Sequence, residues 1–312
     1  MTSLKQEKVL YKQGYRFVGK NSAIKVCLWT KNSLRDDGVC YKQKFYGINC
    51  CQCVQMTPSL NTCNQRCEWC WRDINFTKPK WVGPVDDPKE IVKKSIKEHK
   101  LFLQGFKGHK EVNLQRFKKA MIPKHFAISL SGEPTFYPKL MQLIKELHSN
   151  DLTSFIVSNG TNPVMIKKLL KVQPTQLYLT LPAPNKEVFE KACKPLIKDA
   201  WKKIISSMKL LKKFNRSVIR LTLVKNLNLI EPEQYAELIE EFQPNFVELK
   251  AFMAVGFARK RLGVESMPLH SEILSFTKKV LKSAPSYKLI NQDKRSRVVL
   301  LSNNKIKPKI DF

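Results

Sequence analysis

The sequence has no run of about 18 apolar residues, which excludes a helix long enough to span a bilayer. The first twenty residues, MTSLKQEKVLYKQGYRFVGK, hold no apolar block of signal-peptide length, so the expected location is cytoplasmic, without a membrane partner. Internal repeats and low-complexity segments are absent. Acidic residues are scarce: 26 Asp and Glu stand against 56 Lys and Arg, a formal net charge of +30. A heat-adapted, ion-paired surface would carry glutamate along with lysine, and here the acids do not keep pace. So large an excess repels itself in the folded state unless a polyanion is near, and nucleic acid is the expected partner. The histidines (His99, His109, His125, His148 and His270) fall at no ligand-like spacing.

What the chain does have is cysteine in one place. Nine are present, and eight lie between Cys27 and Cys70. In a reducing cytosol such clustering points to metal rather than to disulfides. Cys193 stands apart in KACKP and reads as a packing residue or a bystander. NTCNQRCEWCWRD places Cys63, Cys67 and Cys70 in a CxxxCxxC loop, whose three thiolates suit three corners of a 4Fe-4S cube and leave the fourth iron open. A structural zinc site would want four closed ligands, usually from paired CxxC knuckles. Upstream, Cys27, Cys40 and Cys53 repeat at equal intervals, CX12CX12C, enough for a second cluster with its own open iron. Cys50 and Cys51 offer alternatives to Cys53, and the competing reading of these residues is a structural zinc or unpaired thiols.

From about residue 85 strands and helices alternate. DDPKEIVKKSIKEHKLFLQGF reads as a helix begun at Asp87-Pro88, followed by an exposed basic connector, FKGHKEVNLQRFKKA. Strands are expected at 125–132, 153–160, 176–184, 217–226 and 246–253. Helices are expected over 137–150, 163–172, 185–214 and 231–243, with a late helix in 266–284 and a closing hairpin from 287–293 and 297–304. Alternation of this kind implies a parallel sheet with right-handed crossovers. Polar and glycine residues gather at the C-terminal strand ends: Ser131-Gly132-Glu133, Ser158-Asn159-Gly160, Thr180, Lys225 and Lys250. In barrel-like α/β folds that edge carries the site. The expected class is α/β, a partial or full TIM-like (βα) barrel. Residues 1–60 read as an irregular cysteine-rich layer, 61–265 as the barrel core and 266–312 as C-terminal additions.

Cys63-Asn64-Gln65-Arg66-Cys67-Glu68-Trp69-Cys70 matches the CxxxC-x-aromatic-C signature of the radical S-adenosylmethionine (SAM) enzymes. The resemblance implies that the open iron holds S-adenosylmethionine and that one electron yields a 5′-deoxyadenosyl radical. Ser131-Gly132-Glu133-Pro134-Thr135 resembles that family's GGE-type motif, with Ser131 in place of the first glycine. On this resemblance Ser131, Gly132, Glu133, Pro134, Ser158, Asn159, Thr180 and Lys225 are the cofactor-binding candidates. CX12CX12C just before CxxxCxWC, with CYKQKFYGI, CVQMTP, ISLSGEPTFYP, SNGTNP, YLTLPAP, RLTLVKNLN and VELKAFMAVGFARKRL, is similar to the archaeal tRNA 4-demethylwyosine synthases over residues 15–265.

The resemblance implies N1-methylguanosine at position 37 of tRNA-Phe as substrate, pyruvate as a two-carbon donor, two 4Fe-4S clusters, and an external ferredoxin- or flavodoxin-type electron donor feeding a monomer. An unactivated N-methyl C–H bond is beyond acid–base chemistry and within reach of a primary carbon radical. Pyruvate then needs a holder: either the open iron of the upstream cluster, or a lysine acting as a Schiff base, for which Lys42 beside Cys40 is the candidate. The basic tracts Lys78–Lys80, Lys107–Lys119 and Arg259–Arg261, with Phe117 and Phe257 among them, are candidate contacts to the anticodon loop. The competing functions are a glycyl-radical activase, which has no need of so much positive charge, and a non-catalytic zinc RNA-binding module.

Overall fold

The computed structural model describes residues 4–312. The chain divides into two compact units. The first comprises the chain through Cys63, Lys80–Val157 and Lys309–Phe312; the second comprises Asn64–Pro79 and Ser158–Pro308.

In the first unit, helix α1 (Leu4–Lys12) leads into the short strands β1 (Tyr15–Phe17) and β2 (Ala23–Lys25), antiparallel with Tyr15 opposite Lys25. Helices α2 (Leu28–Leu34) and α3 (Tyr41–Tyr46) precede β3 (Cys53–Thr57), which pairs antiparallel with β2. Helices α4 (Pro88–Gln104) and α5 (Leu114–Ala120) come before β4 (His125–Ile128), and α6 (Leu140–Ser149) before β5 (Thr153–Ser158); β3, β4 and β5 run parallel. Tyr15, Ile24, Phe45, Tyr46, Val54 and Met56 are buried. Residues 4–60 therefore hold regular helices and strands where an irregular layer was expected. Three-residue strands are too short to display the alternation that would have revealed them.

The basic connector is corrected as well. Asn113 caps α5 by accepting from the Arg116 amide, and Phe117 and Ala120 join Val26, Leu34, Cys51, Leu103 and Val112 in a buried cluster. Lys118 and Lys119 stay on the exposed side.

In the second unit, α7 (Pro163–Leu169), β6 (Gln176–Thr180), α8 (Lys186–Cys193), α9 (Ala200–Met208), β7 (Ser217–Leu223), α10 (Pro232–Phe242) and β8 (Phe246–Ala251) are followed by α11 (His270–Lys282) and the hairpin β9 (Lys288–Asp293) and β10 (Val298–Ser302). Strands β6, β7 and β8 are parallel. The helix expected over 185–214 is interrupted: Lys194 turns left-handed (φ 41°) after α8, and Pro195 cannot continue the hydrogen-bond ladder.

The strands are ten among the described residues, parallel and antiparallel, in open arrays. The TIM-like ring is not formed. Its physical obstacle in the second unit is β10, which pairs antiparallel with β8 and with β9. It thereby occupies the β8 edge on which a further parallel strand would have to add. Among the described residues no helix is long and apolar enough to cross a membrane.

Candidate active site

The cysteine loop of the second unit is fastened from two sides. The C-terminus of α8 meets it through main-chain bonds: the Arg66 and Glu68 amides donate to the Cys193 and Ala192 carbonyls, both at 2.9 Å, and the Leu196 amide donates to Asn64 O at 2.9 Å. The β5 strand end meets it through Asn159, whose Nδ2 donates to Asn64 Oδ1 at 3.0 Å, while Thr161 Oγ1 donates to the same oxygen at 2.9 Å. Ser158 Oγ accepts from the Gly160 amide at 3.1 Å and closes the turn. Trp69 packs on a buried group of Val224, Phe252, Ala254 and Ala258. Cys193 is more than the packing residue expected. Its thiol shares a hydrogen bond with Cys67, and this, with burial and the neighbouring Cys70, pushes the Cys67 thiol well above its usual range.

Cys63 lies in the first unit, as does the strand-end loop after β4. Ser131 Oγ donates to Leu60 O at 2.7 Å, and the Glu133 amide donates to Thr62 O at 2.6 Å. Glu133 is buried; its Oε1 accepts from the Thr135 amide at 3.0 Å and caps the 3-10 turn Pro134–Phe136. Gly132 adopts φ +69°, and a Cβ built there would lie 1.7 Å from Ser59 O, so only glycine fits the approach.

The upstream thiols are gathered in the same unit. Cys27 caps α2, with Sγ accepting from the Thr30 amide at 3.3 Å; Cys40 precedes α3; Cys53 opens β3 opposite His125. Burial and the Cys27 thiol push Cys40 up to about 12, and the same causes raise Cys53 further, while the Lys42 ammonium opposes both shifts. Lys42 therefore stands close to Cys40 and Cys53, half-buried on α3. Cys50 acts on the same thiols. Cys51 does not belong with them: its Sγ donates to Asn49 Oδ1 at 3.1 Å, and it packs in the α5 cluster.

Other strand-end residues have structural partners. Lys225 pairs with Glu272 of α11 at 2.8 Å, and Lys250 Nζ donates to Ser296 O at 3.1 Å. Thr180 ends β6 opposite Arg220.

Two family models match the chain: that of the radical SAM superfamily over residues 57–239 and that of wyosine base formation over 241–303. The S-adenosyl-L-methionine-dependent tRNA 4-demethylwyosine synthase of Pyrococcus abyssi is 43% identical over 301 residues, 95% of this chain and 88% of the relative. The chain belongs to the tRNA 4-demethylwyosine synthase family. Two solved structures of such enzymes are also similar. TYW1 with a lysine-pyruvate adduct bound has a TM-score of 0.89 at 39% identity, covering 99% of this chain and 100% of that one. Archaeal TYW1 has 0.81 at 35%, with the same coverage. The protein is thus a radical SAM enzyme of wyosine formation, and the glycyl-radical activase and the zinc module fall away.

The family implies S-adenosylmethionine and a 4Fe-4S cluster, and the second-unit loop fits such a group. Asn64 Nδ2 and Gln65 Nε2 are buried donors with no partner among the described residues, as an anionic sulfide-rich group would require. Among the described residues no group of three or more Cys, His, Asp or Glu side chains stands ready to hold a metal ion; binding would have to deprotonate the thiols and draw them in. The Asn64–Asn159–Thr161 knot and Cys193 escaped the sequence reading, because nothing in spacing reveals an asparagine bonded across 95 positions.

Proposed function

We propose that the protein condenses N1-methylguanosine at position 37 of tRNA-Phe with pyruvate to close the third ring of 4-demethylwyosine. The observation that carries this reading is the place of Lys42 in the first turn of α3, two residues after Cys40 at its N-cap. It sets an amine beside the thiols that would hold a second cluster. The lysine-pyruvate adduct in a solved relative supports Lys42 over chelation of pyruvate by an open iron.

Cys63, Cys67 and Cys70 would hold the first 4Fe-4S cluster, and Cys27, Cys40 and Cys53 the second. When bound, the first would supply the electron for reductive cleavage of S-adenosylmethionine, the radical chemistry that an N-methyl C–H bond requires. Ser131, Gly132, Glu133, Pro134, Ser158, Asn159 and Thr180 would hold S-adenosylmethionine. Lys225, already bonded to Glu272, would support its strand end. The Lys42 amine attacks the keto carbon of pyruvate and releases water, which fixes carbons 2 and 3 for ring closure and leaves carbon 1 to depart. This step needs the neutral amine.

The charge of +30 suits tRNA, held chiefly through phosphates. Phe117 is buried and cannot stack on a splayed base, whereas Phe76, 45% exposed beside Lys78, can. Phe257 is half-buried beneath Lys260. A cytoplasmic monomer drawing electrons from an external ferredoxin- or flavodoxin-type donor completes the reading. Incubation with methylated tRNA-Phe, S-adenosylmethionine, reductant and labelled pyruvate tests it. Label from carbons 2 and 3 should enter the base and label from carbon 1 should not. Deoxyadenosine formed without transfer of any pyruvate carbon would refute the substrate assignment.

A further inference from the structure

Residues 254–262 lie outside the radical SAM portion of the chain, in the 241–303 segment, yet they close on the cysteine loop. Arg261 Nε donates to Glu68 O at 3.1 Å, and its Nη2 donates to Cys70 O. The same guanidinium stands 4.0 Å from the Glu68 carboxylate, which also pairs with Lys194 at the end of α8. One turn earlier the Phe257 amide donates to Trp71 O at 2.9 Å. Gly256, at φ +56°, lets the two backbones touch: a Cβ there would fall 2.3 Å from Trp71 O. Trp69 packs against the buried cluster that contains Ala254 and Ala258, and Leu262 packs against the same cluster. Three consecutive turns of one segment thus grip residues 68–71.

Arg261 is poorly suited to the role of a phosphate contact, for which its basic tract marked it. Its side chain is 18% exposed, and its fork is committed to two carbonyls of the loop. Arg259 Nε donates to Ala254 O at 2.7 Å, but the residue stays exposed, and so does Lys260. A guanidinium bonded to the carbonyl of Cys70 does two things. It fixes the turn between Cys67 and Cys70, and it sets a permanent positive charge next to whatever Cys70 binds. Positive charge beside an anionic cluster favours the reduced state.

We infer that Arg261 is a positioning residue for the radical chemistry: it holds the Cys67–Cys70 turn in its ligating shape and raises the reduction potential of the cluster bound there. The segment that distinguishes this family thereby sets the properties of the cluster common to the whole superfamily. The inference rests on the first cluster alone and is independent of Lys42, pyruvate and the identity of the tRNA base.

Two readouts test it, and neither is turnover. In the metal-free protein, hydrogen exchange at the Glu68 and Cys70 amides, which donate to Ala192 O and Cys67 O, should accelerate roughly tenfold or more in Arg261→Gln, since the turn opens more often once its carbonyls lose a charged donor. Arg261→Lys, which keeps the charge but cannot span both carbonyls, should lose most of the same protection. In the reconstituted protein, a potentiometric titration followed by electron paramagnetic resonance should give a more negative midpoint for Arg261→Gln and a smaller shift for Arg261→Lys. Lys260→Gln, which removes one exposed charge next door, should leave exchange and midpoint unchanged. Unaltered exchange in both Arg261 variants would overturn the positioning role. A midpoint that moves equally in Lys260→Gln would overturn the local electrostatic one. Should Arg261→Gln fail to fold, Arg261→Lys alone decides the exchange test.

Discussion

Asn159 donates its side-chain amide to Asn64 Oδ1 at 3.0 Å, joining the end of β5 to the interior of the cysteine loop. Thr161 Oγ1 donates to the same oxygen at 2.9 Å, so one buried acceptor serves two donors. Asn64→Ala should remove both bonds at a cost of about 1–3 kcal/mol, while Thr161 Oγ1 keeps its 2.6 Å bond to Asn159 Oδ1. Thermal melting of the metal-free protein should fall by several degrees. An unchanged melting temperature would mean that the knot contributes nothing to the loop.

Removal of the upstream thiols separates the two clusters. Cys27→Ala, Cys40→Ala and Cys53→Ala combined should lower reconstituted iron from about eight per chain to about four. Cleavage of S-adenosylmethionine should survive while modified tRNA is lost. Cys51→Ala should keep the full iron content, because Cys51 faces the α5 cluster instead. Iron near four in the unmodified protein would remove the second cluster from the scheme.

Lys42→Ala should retain both clusters and still form deoxyadenosine. Borohydride reduction in the presence of labelled pyruvate should attach label to the native protein and none to the variant. Label recovered on another lysine would transfer the role away from Lys42.

Acid should weaken the fold through His99. This imidazole is 1% exposed, its Nε2 has no partner among the described residues, and burial lowers its pKa from 6.5 to about 4. The unfolded chain therefore takes up a proton before the folded one as pH falls below 6.5. Stability drops through that window and levels off near pH 4, for a total of about 3 kcal/mol from this group. His99→Leu should flatten the decline of unfolding free energy between pH 6.5 and 4, as read from denaturant titrations. An equally steep decline would assign the acid sensitivity elsewhere.

The alternation from His125 to Phe252 was legible because buried runs such as HFAI and VIRL end at glycine, proline or asparagine, which punctuate strands strongly. Residues 1–60 were not legible as layered structure. Their strands have three to five residues, and their burial rests on aromatics such as Tyr15, Phe45 and Tyr46 rather than on a period. The open sheet could not be foreseen, since LINQD and VVLLS announce a hairpin but not that β10 would seize the edge of β8. At the candidate site, spacing picks out the two cysteine triplets and neighbourhood picks out Lys42 as candidates. The bonds of Arg261, Asn159 and Cys193 to the cysteine loop were not, because they join residues more than 90 positions apart.

The contact between Gly132 and Ser59 O limits how this protein can be diversified. In a saturation library, position 132 should return glycine alone, because even alanine would drive a methyl group into a carbonyl that belongs to main chain and cannot swing aside. Neighbouring Ser131 contributes one hydroxyl bond and should accept alanine or threonine with a modest penalty. Selection for altered substrate preference would therefore find no productive variation at 132. Libraries are better spent on Phe76, Lys78 and Lys260, exposed or half-exposed positions with room to change.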